Sequence, residues 1–238
     1  MELEYLHVSH PTDDQLAQIR RTLPCKHLIL RDCSNVTESG LAEICRISQL
    51  ESLYLLQPDV SGEGIAQLRK ARQLRHLRIG GAGCTDSTVA SIHLLSSVNE
   101  LQLVGTSISS EGLRSVAKMP NLSWLFISGS PINDQKIDVI SNMPALQCVD
   151  LCGVGLQDEQ LRTLARLPSL KYLQIFNNPI SDTGLEVVEQ MEHLVWVDVR
   201  KTLASEAAKE RLRKNCPQLV IDDHTEVRFA EPRIHWQP

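Results

Sequence analysis

Aromatic residues are scarce in this chain, with three Trp, three Tyr and three Phe among 238 residues. Its core must therefore be aliphatic, and the place of each ring carries information. No CxxC pair occurs, and the seven cysteines (Cys25, Cys33, Cys45, Cys84, Cys148, Cys152, Cys216) are an odd set. That argues against a disulfide framework and a zinc ribbon, and reduced thiols are expected. No apolar run approaches about 18 residues, and the opening "MELEYLHVSHPTDD" lacks a basic segment followed by an apolar one, so neither a membrane span nor a leader is expected. Positive charge is not in excess: 24 Lys and Arg stand against 29 Asp and Glu, for a net charge of −5. This argues against nucleic acid or an anionic membrane as a partner. What remains is 42% hydrophobic and 22% charged, the composition of a globular protein, most simply a cytoplasmic one.

The chain repeats itself every 24 residues. "LESLYLLQPDVSGEGIAQLRKARQ" starts at Leu50, and copies follow at Leu74, Val98, Leu122, Leu146 and Leu170, with looser ones at Leu3, Cys25 and Leu194. Each unit opens LxxLxL, whose last apolar positions alternate with polar ones as in a strand with one buried face. An apolar plug follows (Val60, Cys84, Ile108, Ile132, Leu156, Ile180), then a Ser, Thr or Asn suited to cap a helix (Ser61, Thr85, Ser109, Asn133, Ser181). Apolar residues spaced along one helical face come next, for example Leu185, Val188 and Met191. A strand-turn-helix unit this small buries neither apolar face alone, so the units must stack into a solenoid. Helices need about 10 Å and strands about 4.8 Å, which bends the stack into a horseshoe with the parallel sheet on the concave side and the short helices on the convex side.

LxxLxL, the plug, "ISDTGL" and "LPxL", recurring in register from residue 3 to about 221, resemble the leucine-rich repeat superfamily, and in particular its helical ribonuclease-inhibitor-like and cysteine-containing classes. The resemblance implies an α/β solenoid of about nine strand-helix units over residues 1–221, followed by a tail over 222–238. It also implies a binding role, although the superfamily serves many. The family usually carries Asn or Cys after LxxLxL. Here that position holds Pro11, Cys33, Pro58, Ala82, Thr106, Ser130, Val154, Asn178 and Thr202, so only Cys33 and Asn178 conform.

Residues between the strand apolars point to the open face, in three columns. The first runs from Tyr5 through His27, His76, Trp124, Cys148 and Tyr172 to Trp196. The second includes His7, Tyr54, Arg78, Phe126, Asp150 and Asp198, and the third Arg31, Val104, Cys152 and Phe176. Seven of the nine aromatics fall in these columns, where random placement would leave about one. Strand preference of aromatics accounts for part of this. Five rings, Trp124, Phe126, Tyr172, Phe176 and Trp196, cluster toward the C-terminal half, and at roughly 150–250 Å² each they predict an apolar patch that a partner covers. These five are the expected anchors, with Tyr54, Arg31, Arg78, Asp150 and Asp198 orienting a protein or peptide ligand.

Chemistry finds little support. His27 and His76 are two strands apart, about 9.6 Å, too far to ligate one zinc unaided. Cys148 and Cys152 stand about 13 Å apart along an extended chain, beyond disulfide reach, and Asp150 would raise a neighbouring thiol's pKa. "GGAG" at 80–83 lacks the Lys-Ser/Thr of a phosphate loop. No cofactor, metal or catalytic set is expected, and the chain reads as a non-enzymatic interaction module. The other reading is a substrate-receptor or inhibitor subunit of a larger assembly, such as a ubiquitin-ligase adaptor. The first strand, starting at Leu3, has no cap before it, which leaves room for an oligomer, another domain or a partner at that end. The tail, with Phe229, Ile234 and Trp236, either folds on the last repeat or serves as a free motif.

Overall fold

The computed structural model describes residues 3–22 and 25–223. Among these, ten strands form one sheet: β1 (Leu3–Ser9), β2 (Cys25–Arg31), β3 (Ser52–Leu56), β4 (His76–Gly80), β5 (Glu100–Val104), β6 (Trp124–Phe126), β7 (Cys148–Asp150), β8 (Tyr172–Gln174), β9 (Trp196–Asp198) and β10 (Val220–Asp222). They are hydrogen-bonded in sequence order and every pair is parallel. Between them stand α1 (Asp13–Thr22), α2 (Glu38–Ile44), α3 (Gly62–Gln67), α4 (Asp86–Val89), α5 (Ser110–Val116), α6 (Asp134–Ser141), α7 (Asp158–Leu164), α8 (Asp182–Glu189) and α9 (Glu206–Asn215). Consecutive helices pack on one another as consecutive strands do. The strands shorten from seven residues in β1 and β2, through five, to three from β6 onward, so the open face is broadest at the N-terminal end. The expected tail lies, from residue 224 on, outside the described residues, as do Phe229, Ile234 and Trp236.

The core is a single aliphatic layer between sheet and helices. In one unit Leu146, Val149, Leu151, Leu156, Leu161 and Leu164 are all fully buried. Each such side chain contributes about 1.5–3 kcal/mol of transfer free energy. The caps form as the sequence indicates: Ser61 accepts from Gly64 N, Ser109 from Glu111 N, Asn133 from Lys136 N and Ser181 from Thr183 N. Thr37 and Ser205 cap α2 and α9 likewise.

Two ladders tie the repeats together. The first runs along the helix starts, where the acid opening one helix accepts from the capping residue of the next. Asp86 takes the Ser109 N–H at 2.7 Å and its hydroxyl at 2.5 Å. Asp158 takes those of Ser181 at 3.0 and 2.5 Å, and Asp182 those of Ser205 at 2.6 and 2.8 Å. The two bonds from Ser205 hold the Asp182 carboxyl below the usual carboxylate range. Asp86 and Asp158 each lie against the third helical residue of the next unit, and this explains the Gly of "SEGL" and "SDTGL". A Cβ on Gly112 would collide with Asp86 Oδ1 and as closely with Ile108 Cγ2, and one on Gly184 with Asp158 Oδ1 and Ile180 Cγ2.

The second ladder occupies the position where the family resemblance expects Asn. Among the described residues Asn178 alone makes the full set: its Oδ1 accepts from the N–H groups of Val154, Gly155 and Leu156, and its Nδ2 donates to the carbonyls of Leu151, Ile175 and Phe176. Elsewhere smaller groups do part of the same work. Ser130 Oγ accepts from Thr106 N at 3.0 Å, Thr202 donates to Val199 O at 2.8 Å, and Cys33 Sγ contacts Leu30 O at 3.4 Å.

Candidate functional site on the inner sheet face

The register places the interleaved residues in the columns that alternation requires. Tyr5, His27, Ser52, His76, Glu100, Trp124, Cys148, Tyr172 and Trp196 are successive pairing partners, as are His7, Ile29, Tyr54, Arg78, Gln102, Phe126, Asp150, Gln174 and Asp198. The rings are less exposed than alternation alone implies. Phe126 and Trp196 are 5% exposed and Tyr54 is 7%, whereas Trp124, Tyr172 and Phe176 are half-buried. Trp124 stacks on Tyr172 at 5.4 Å between centroids, although their strands are two apart. Cys148, between them on β7, is fully buried; its small side chain lets the rings converge over it. Trp124 also lies 6.4 Å from Phe126.

The charged candidates have internal partners. Asp150 accepts from Ser128 Oγ at 2.7 Å and from Cys152 N at 2.8 Å. Asp198 is 1% exposed and is held at 2.9 and 2.6 Å by both arms of Arg200, which also lies 3.6 Å from Asp222. These bonds to Asp198 keep the Arg200 guanidinium charged well beyond its ordinary range. Asp198 thus has its cation within the chain, whereas Asp150 is held by a hydroxyl and a backbone N–H. Arg78 lies over the Tyr54 ring at 5.0 Å, and burial pushes the Tyr54 hydroxyl up to about 12 against an opposing hydrogen bond from Arg78. Arg31 is exposed.

Alternation puts Arg200 in the third column without giving it a role, and it does not mark Lys201 at all. Arg200 and Lys201 both sit over the Phe176 ring, at 5.4 and 5.1 Å, which converts an apolar anchor into a ring flanked by cations. Lys201 follows a three-residue strand and has a left-handed backbone, φ 52°, so alternation no longer reports its direction.

The thiols are set against reaction. All seven are unpaired. Burial pushes Cys25, Cys33, Cys45 and Cys84 up to about 11, and raises Cys148 and Cys152 further with Asp150 adding to the effect. Among the described residues no group of three or more His, Cys, Asp or Glu could hold a metal ion, and no helix is long and apolar enough to cross a membrane.

The Leucine Rich repeat family profile matches residues 166–188, the unit built around the Asn178 ladder. No curated protein matches the sequence. Among solved structures, an internalin (inlF) from Listeria monocytogenes superposes with a TM-score of 0.58 at 18% identity, covering 94% of this chain and 67% of the other. A protein from Bacteroides fragilis gives 0.59 at 17% identity, covering 88% and 68%. The chain is a leucine-rich repeat solenoid.

Proposed function

We propose that this chain is a non-enzymatic binding module that holds a protein or peptide on the inner face of its sheet. The observation that carries this reading is the half-exposed row of Trp124, Tyr172 and Phe176, with cations at its edge, on a sheet face opposite the helices. Large rings that keep one face open while packed on neighbours are pre-organised anchors, and truncating such anchors commonly costs about 2 kcal/mol or more of binding. Phe126, Trp196 and Tyr54 are buried and serve as supports of the face rather than as contacts, Phe126 packing beside Trp124. Arg31, Arg78, Asp150 and Asp198 set the charge around the open rings. The raised thiols favour binding over nucleophilic chemistry, and seven unpaired cysteines suit a reducing, cytoplasmic setting.

The test is capture from the source cell's lysate with wild type, Trp124→Ala/Phe176→Ala and the helix-side control Lys118→Glu. A protein retained by wild type and by the control, but at least about tenfold less by the double variant, supports the site. Identical retention by all three refutes it. Association of copies through β1, where Leu6 and Val8 are only partly buried at the sheet edge, is checked by sedimentation of the full chain, a single monomeric species refuting it.

A further inference from the structure

The inner face is divided by charge. On β1–β4 it carries Arg31, Arg78, His7, His27 and His76 and no acid, in a chain whose net charge is −5. From β5 onward it carries Glu100, Asp150, Asp198 and Asp222. The acids of the second half are engaged: Glu100 accepts from Gln102 at 2.8 Å, Asp150 from Ser128, and Asp198 and Asp222 face Arg200. The two arginines of the first half differ. Arg31 is exposed and makes no ion pair or side-chain hydrogen bond among the described residues. The Arg78 Nε is buried without a hydrogen-bond partner, its guanidinium held over the Tyr54 ring. Of the acids at the margins, Glu51 lies 3.6 Å from Lys26 and Asp32 lies 3.7 Å from the His10 ring, and the exposed Glu4 acts together with Glu51 on His27.

A positive zone on an acidic protein, next to open rings, selects its occupant by charge. Building on the proposed docking at the inner face, we propose that β1–β4 bind acidic side chains of a peptide segment through Arg31 and Arg78, while an apolar side chain of the same segment packs on Trp124 and Tyr172. Arg78 on β4 and Trp124 on β6 are two strand spacings apart, about 10 Å, which an extended ligand crossing the strands covers in about three residues. The ligand is thus an acidic residue followed or preceded, about three positions away, by an aromatic or large aliphatic one. A guanidinium fixed by stacking is suited to a carboxylate because less of its freedom is lost on binding.

The experiment is selection of displayed random peptides on the full chain, on Arg31→Gln/Arg78→Gln and on Arg31→Glu/Arg78→Glu, with circular dichroism confirming the fold of each. The single variant Arg31→Gln, at an exposed site, serves if the doubles do not fold. Wild type is expected to enrich Asp or Glu about three positions from Phe, Trp, Tyr or Leu. Neutralising both arginines should weaken those peptides at least about tenfold, and charge reversal should turn the selection toward Lys and Arg. Affinity should also fall as salt rises from about 50 to 500 mM. Enriched peptides without acidic bias, still lost in Trp124→Ala, overturn the acid recognition and leave the docking itself standing. No enrichment on any version overturns both.

Discussion

Replacing Asn178 by Ala probes how far one side chain holds neighbouring repeats together. Its amide serves six backbone groups, and four of them belong to wholly or nearly buried residues: the N–H groups of Val154 and Leu156 and the carbonyls of Leu151 and Ile175. An unsatisfied buried polar group costs about 1–3 kcal/mol, and water entering the small space left by the amide recovers part of that. The expected loss is about 4 kcal/mol, large against the usual stability of a domain, about 5–15 kcal/mol. Thr202→Val is the control, since its hydroxyl makes a single bond, to Val199 O, and about 1 kcal/mol is expected. Urea unfolding followed by circular dichroism measures both. Because solenoid stability is a sum over nearest neighbours, the Asn178 variant should also show a shallower or split transition as the C-terminal units separate from the rest. A loss below about 1 kcal/mol, or one equal to that of Thr202→Val, refutes the reasoning.

Gly112→Ala should cost about 1–3 kcal/mol by overpacking, measured by the same unfolding. The cost should shrink in part when Asp86→Ala removes the oxygen, since Ile108 Cγ2 still lies as close to the new Cβ. Burial, helped by His76 and Lys26 and opposed by Glu51 and Glu4, holds the His27 pKa below its ordinary value. The unfolded chain therefore binds that proton more readily, and stability should fall as pH drops through about 6.5, with a flatter profile in His27→Gln. A thiol reagent at neutral pH should label at most the two partly exposed cysteines, Cys152 and Cys216, in the native protein and all seven in denaturant; rapid labelling of Cys148 would contradict its burial beneath the Trp124 and Tyr172 rings.

Local periodicity is enough to specify the repeat, the parallel order of the strands, the caps and the columns of the inner face. Alternation along a strand and a fixed 24-residue spacing leave one register that turns the apolar positions of the LxxLxL frame toward the helices. The acid-to-cap ladder is also written locally, in the recurrence of Asp directly after the capping position, as in "CTDST" and "ISDTG", although its partners lie in adjacent repeats. How open the site is depends instead on packing between repeats. Whether a ring shows its face follows from the size of the residue one strand away, as with Cys148 between Trp124 and Tyr172. Whether an acid is available follows from a residue such as Arg200 closing on Asp198, and Lys201 reaches Phe176 only because the chain turns left-handed after a three-residue strand. Periodicity fixes which side of a sheet a residue takes, while exposure and charge balance are set by neighbours brought together across strands.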